Sequence, residues 1–242
     1  MIAQALAERW DAEKILLATF FFSQHDLSRN HALPLFTTIA YQVATNFLDS
    51  WTAITRVPER NPSVLKQRPE FQLTSLIIEP LQQVYQATGR HSGSSDPYLI
   101  IIDGLDQCAH SDAQIGILSS ISKALKECQF PLRFLITSRP EPHIVAELNS
   151  EAIKPILSNL SLDEFRPSDV MQLFDLLSDP QSSRIPAKNM GKDTRRERRV
   201  ILRFLVLLVP SDLIYHSTYA RSCQVTVCSQ KFSVRTICRA DA

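Results

Sequence analysis

At 242 residues, with 44% apolar and 21% charged side chains, the chain is long enough for one sizeable core plus an appendage and too hydrophobic for a disordered polymer. Its 26 basic and 25 acidic residues nearly cancel, which removes any global electrostatic case for nucleic acid or an anionic membrane as partner. No stretch approaches the roughly 20 apolar residues that span a bilayer, and the opening MIAQALAERW lacks the basic start and small-residue cleavage site of a secretory signal, so a soluble cytoplasmic protein is expected.

Five cysteines form an odd set in a chain without an export signal, which argues against a disulfide framework. Cys108 and Cys128 read as small buried residues. Cys223, Cys228 and Cys238 cluster near the end, but there is no CxxC and no histidine follows them, so their spacing does not match a zinc site.

Residues 2–10 place Ile2, Ala5, Leu6 and Ala7 on one face of a short amphipathic helix. The period then changes: Ile15–Phe22 is a compact apolar run of the length of a strand buried on both faces, and the polar stretch from Ser23 to Asn30 reads as a loop. From Leu33 to Phe47 the three-and-four spacing predicts a helix, with Pro34 suited to its first turn. Pro58–Pro69 carries three prolines and reads as a connector. Phe71–Ala87 predicts another helix, in which Pro80 should force a kink or a break.

A glycine- and serine-rich loop at 89–97 leads into the densest strand signal, YLIIID at Tyr98–Asp103. Asp112–Cys128 is predicted as a helix, Leu132–Thr137 as a strand, Glu141–Leu148 as a short helix, Ile153–Leu162 as a strand and Pro167–Leu177 as a helix. Continuous apolar strands alternating with helices predict an α/β fold with a parallel sheet covered on both faces. Beyond Asp179 the character changes to a basic run, RRERR at 195–199, then VILRFLVLLV at 200–209. That run is too short for a membrane span, is interrupted by Arg203, and reads as a helix or strand seeking cover.

Ligands of parallel α/β sheets bind at the carboxyl ends of the strands, so polar residues that end an apolar strand carry the functional reading. In LIIIDGLDQC, Asp103 stands at a strand tip and Asp106 follows three residues later. A carboxylate at such a tip can hold the water shell of Mg²⁺ on nucleotide phosphates, while a second polar group orients the attacking water. Asp before Gly also commonly ends a strand and caps a turn, and the segment alone leaves both readings open. In RFLITSRPEPHI, Ser138 and Arg139 close the next strand, where a guanidinium can grip a terminal phosphate oxygen through a forked, charge-assisted contact.

Together FFFSQHDLSRNHALPLFTTIAYQVA, LIIIDGLDQC and PLRFLITSRPEPHI, in this order, resemble the NACHT domains of fungal STAND-type NTPases, often labelled nephrocystin-3-like N-terminal domains. The resemblance runs over roughly 2–177 and includes LSLDEFRPSDVMQLFDLL. It implies a P-loop NTPase-like parallel sheet, a Walker B strand with Asp103 as the Mg²⁺ residue, and Asp106 and Gln107 as the catalytic positions. Arg139, with Ser138 beside it, is implied as the sensor that touches the nucleotide. Mg²⁺ and ATP or GTP are the implied cofactors, and other protein chains, including copies of itself, the implied partners.

Two departures qualify this expectation. Gln107 stands where the family usually has Glu, and an amide can orient water but cannot accept its proton, so hydrolysis should be slow. No GxxxxGK[ST] occurs among the residues: the only Gly-Lys pair, Gly191-Lys192, is followed by Asp193 and preceded by Pro186 where the first glycine belongs. IAQ, which typically opens the helix after the phosphate loop, follows Met1 directly. The expectation is therefore a partial NACHT domain at 1–178 that lacks the phosphate loop and first core strand and binds nucleotide poorly by itself. The tail at 179–242 is left unassigned, as a disordered segment or a gene-model artefact. By the resemblance the missing strand lies between the sensor strand and the Ile153–Leu162 strand, leaving two open edges prone to pairing with another chain. The alternative is a protein-interaction fragment that uses the same scaffold without nucleotide.

Overall fold

The apolar runs become strands and the three-and-four repeats become helices. The computed structural model of the chain describes residues 2–88, 98–161 and 204–208. In chain order these are α1 (Ile2–Ala12), β1 (Leu16–Phe21), α2 (Leu33–Asn46), α3 (Trp51–Arg60), α4 (Pro69–Leu73), α5 (Glu79–Ala87), β2 (Tyr98–Asp103), α6 (Ser111–Glu127), β3 (Leu132–Ser138), α7 (Pro142–Leu148), β4 (Leu157–Ser161) and β5 (Phe204–Leu208). Short 3-10 turns lie at Leu48–Ser50, Pro62–Lys66, Leu105–Gln107 and Lys154–Ile156. The helix expected at Pro167–Leu177 lies outside the described residues.

One sheet carries the fold, in the order β1-β2-β3-β5-β4. β1 pairs parallel with β2, and β2 parallel with β3, with Ile102 opposite Ile136. This is the α/β arrangement that the alternation of elements predicts. Alternate side chains divide between the faces. Ile100, Ile102, Phe134 and Ile136 join one buried cluster with Leu35, Phe36, Ile39 and Val43 of α2, Leu73 of α4 and Ile117 and Ile121 of α6. Leu99, Ile101 and Leu135 are buried but stand apart from that cluster, as do Ala3, Leu6 and Trp10 of α1, which packs on β1 and β2. Each buried Leu, Ile or Phe removes enough apolar surface from water to stabilise the fold by about 1.5–3 kcal/mol, so both sides of the sheet contribute.

Three differences from the expectation have physical reasons. The Pro58–Pro69 connector is largely helical: α3 runs through Pro58 to Arg60, and the one N–H that Pro58 lacks leaves only the Ile54 carbonyl without its donor four residues on. Around Pro80 the helix is not broken. Thr74–Ile78 widens into a π turn between α4 and α5, which accommodates the carbonyls that proline leaves without an N–H.

The third difference concerns the sheet. The position between β3 and β4 is occupied by β5, from the apolar run that precedes Val209, and β5 pairs antiparallel with both neighbours. Ser138 and Ser161 both face Phe204 in the register, so β3 and β4 run in the same direction with one opposed strand between them. The two strand edges expected to face a gap are therefore paired within the chain. Among the described residues no helix is long and apolar enough to cross a membrane.

Candidate nucleotide-phosphate site at the strand ends

β2 and β3 end side by side, and the register places Asp103 next to Thr137. Asp103 is only 4% exposed, because its strand is covered on both faces. A carboxylate buried to that extent needs a hydrogen-bond donor. Thr137 supplies it: its hydroxyl donates to Asp103 Oδ1 at 2.6 Å and accepts the Gly104 N–H at 2.9 Å. One threonine thus fixes both the carboxylate and the first amide of the turn that follows it. The Asp103 carbonyl accepts the Phe22 N–H from the end of β1 at 2.9 Å, which binds the third strand end to the same corner.

The chain leaves β2 through Gly104 at φ +74°, a left-handed conformation that glycine adopts without a side-chain clash. The turn Leu105–Gln107 then brings Asp106 back over the end of β3. Asp106 Oδ1 accepts the main-chain N–H of Arg139 at 3.0 Å, and Oδ2 lies 3.4 Å from Arg139 Nε in an ion pair. The Asp106 side chain is 7% exposed and that of Arg139 43%. Nε itself is buried and, among the described residues, has no hydrogen bond of good geometry, so charge rather than a directed bond holds it to Asp106.

Behind the turn, Gln114 of α6 donates its side-chain amide to the carbonyls of Cys108 at 2.6 Å and Asp106 at 3.3 Å. Its own oxygen meets His143 Nε2 of α7 at 2.5 Å. With Gln114 Oε1 as acceptor, Nε2 carries the proton. Burial pushes the neighbouring Cys108 thiol up to about 11, so it stays protonated near neutral pH.

Of the five residues singled out in the sequence, Asp103, Asp106 and Arg139 stand at one edge of the sheet and are joined through neighbouring strand ends. Gln107 closes the turn, with its side-chain amide against Gly104: a Cβ built on Gly104 would meet Gln107 Nε2 at 2.9 Å. Ser138 is brought to the same edge but turned inward, 2% exposed, with its hydroxyl donating to the Arg139 carbonyl at 2.9 Å. Thr137, Gln114 and His143 complete the corner and carry no sequence signal of their own, since each is a lone polar residue in or beside an apolar run.

The donor set decides what cation fits. Among the described residues no group of three or more His, Cys, Asp or Glu side chains is placed to hold a metal, which leaves no all-protein cage. Mg²⁺ is commonly held by one or two carboxylates together with waters and substrate phosphates. Asp103 fits that role, because Thr137 occupies only one of the several lone-pair positions of its carboxylate.

None of the curated proteins matches the chain. The family described as Nephrocystin 3, N-terminal matches over residues 1–139, from α1 through Arg139, and includes every strand end that builds this corner. The chain belongs to the nephrocystin 3 N-terminal family.

Proposed function

We propose that the carboxyl edge formed by the ends of β2 and β3 is the metal- and phosphate-facing part of an ATP or GTP site, in a NACHT-type switch module of the STAND class. The observation that carries this reading is the placement of Asp103 and Arg139. They are a buried carboxylate and a partly exposed cation, and they stand at the ends of two neighbouring parallel strands at the same edge, linked through Thr137 and Asp106. That is the end of an α/β sheet where ligands bind.

In this reading Asp103 holds Mg²⁺, which when bound neutralises charge on the phosphates and orients them. Arg139 meets the terminal phosphate with its forked guanidinium. Gln107 can orient a water but cannot take its proton, so turnover is slow and the bound nucleotide acts as a switch that governs assembly with other protein chains. The 242 residues contain no GxxxxGK[ST], so the amides and lysine that usually cradle the phosphates do not come from them. Each charge-assisted hydrogen bond is worth about 1.5–3 kcal/mol, and the lack of several lowers affinity by orders of magnitude.

The test is titration with a fluorescent ATP analogue and Mg²⁺. The 242-residue chain is expected to show no micromolar binding. A longer chain carrying a Walker A segment ahead of residue 1 is expected to bind in the micromolar range and to lose that binding on Asp103→Ala. Binding by the longer chain that ignores both Asp103→Ala and Arg139→Ala would sink the site assignment.

A further inference from the structure

Asp106 reads from sequence as a catalytic carboxylate, but its surroundings give it a different task. Both of its oxygens are engaged by a single residue, Oδ1 with the Arg139 N–H and Oδ2 with Arg139 Nε. With both oxygens already turned to Arg139, the carboxylate has neither one left over for a metal or a water, whereas the Arg139 side chain keeps 43% of its surface in solvent. The buried partner holds the root of an arginine whose remaining surface is open.

The hold closes on itself. Arg139 leads through Pro140 and Glu141 into α7, whose His143 meets Gln114, and Gln114 donates to the Asp106 carbonyl. Asp106, Arg139, His143 and Gln114 therefore form a ring of contacts that joins the turn after β2 to the turn after β3. A long, rotamer-rich arginine fixed at its main-chain amide and at Nε loses less conformational freedom when its outer nitrogens grip an anion.

We propose that Asp106 is a positioning residue. It clamps Arg139 so that the guanidinium is presented to a phosphate-bearing ligand, and it neither coordinates the metal nor activates water. The proposal rests on the phosphate-site reading above, and its test keeps the two separable.

The probe is Mg²⁺ with inorganic tripolyphosphate at millimolar concentration, followed by amide NMR shifts in the 242-residue chain and in Asp106→Ala, Arg139→Ala, the double variant, Asp106→Asn and Asp103→Ala. Removal of the Arg139 contact should weaken binding about tenfold or more, the size of one charge-assisted hydrogen bond. Asp106→Ala should match it, and the double variant should be no weaker than Arg139→Ala alone, because Asp106 acts only through Arg139. Asp106→Asn, which keeps an acceptor for the Arg139 N–H, should recover part of the loss. Additive losses in the double variant would overturn the proposal, since Asp106 would then act on metal or water directly.

A second measurement needs no ligand. The Arg139 Nε–H resonance should be protected from solvent exchange in the parent chain and in Asp103→Ala, and should lose protection in Asp106→Ala. Unchanged protection in Asp106→Ala would also overturn the clamp. Tripolyphosphate shifts that Arg139→Ala leaves unchanged, with the clamp intact by this measurement, would count against the phosphate site and leave the Asp106–Arg139 hold standing.

Discussion

Gln42 makes with Thr19 both hydrogen bonds that a neighbouring strand would make there. Its side-chain oxygen accepts the Thr19 N–H at 2.9 Å and its amide donates to the Thr19 carbonyl at 2.8 Å. One helical turn later Asn46 donates to the Leu17 carbonyl at 2.8 Å. β1 is an edge strand of the sheet, and Leu17 and Thr19 turn these groups away from β2, so α2 covers with two amide side chains an edge that would otherwise accept another strand.

Replacement of Gln42 by Ala should therefore act twice. Loss of two partly buried hydrogen bonds should lower unfolding free energy by about 1–3 kcal/mol, read from urea midpoints. Exposure of the β1 edge should raise light scattering on incubation at sub-denaturing temperature. A variant that loses stability without any added scattering would show that the edge is protected by something other than Gln42.

Thr137 bridges Asp103 and Gly104, and the alcohol is the only part of it that does so. Thr137→Val keeps the shape and leaves a buried carboxylate oxygen and a buried N–H without their partner, at about 1–3 kcal/mol for each. Thr137→Ser keeps the hydroxyl and should lose much less. Chemical denaturation of the pair checks the difference, and equal losses would place the effect in packing rather than in the bridge.

The two central parallel strands were legible in the sequence because they are buried on both faces. Tyr98–Asp103 begins and ends where its apolar run does, and Leu132–Ser138 extends the expected strand by one residue. α3 was not legible, since Pro58 resembles a connector residue and only the packed setting shows that it falls near a helix end. The placement of β5 was also hidden: FLVLL announces a buried segment, but its partners are β3 and β4, far away in sequence, and nothing in a five-residue apolar run encodes its direction. At the candidate site, the residues at strand tips could be named because chemistry concentrates there. The residues that hold them, Thr137, Gln114 and His143, could not, because a polar side chain reveals its partner only after folding.

Gly104 lies at φ +74°, and a Cβ there would meet the Gln107 side chain at 2.9 Å and 3.4 Å. Gly104→Ala should cost roughly 1–2 kcal/mol from the left-handed conformation alone. The flexible Gln107 amide can swing aside, so the steric part should appear as a shifted Gln107 side-chain resonance rather than as further destabilisation. A loss far above that range, with Gln107 unmoved, would place the strain in the backbone around Phe22, whose carbonyl is the next nearest atom at 3.6 Å.

The Cys108 thiol is held neutral by burial, with its titration pushed up to about 11. The folded value is raised above the unfolded one, so the contribution to stability is complete below the unfolded value. It declines as pH rises through about 9 to 11, where the unfolded chain ionises first. Alkylation at Cys108, followed by mass spectrometry of its peptide, should be slow at pH 8 in the native chain and fast in urea. Rapid native alkylation at that pH would show that the turn after β2 opens far more readily than its hydrogen bonds imply.

β5 carries the most demanding prediction, because it has a strand on each side. Whichever way the Val206 N–H points, a β3 or β4 carbonyl lies on that side, since Val206 sits opposite Ile136 in one register and Asn159 in the other. Proline at 206 removes the donor and cannot be excused by an outward-facing edge. Val206→Pro should therefore destabilise the sheet by an amount of the order of the roughly 3 kcal/mol that proline costs inside a helix. It should also speed amide exchange in β3 from Phe134 to Thr137, while β1 and the β1-facing part of β2 keep their protection. The comparison variant Val206→Thr retains the N–H and suits a strand, so it should preserve the exchange pattern. Native-state hydrogen exchange on the two variants decides the matter: if proline at 206 leaves the β3 amides as protected as threonine does, residues 204–208 do not occupy the slot between β3 and β4.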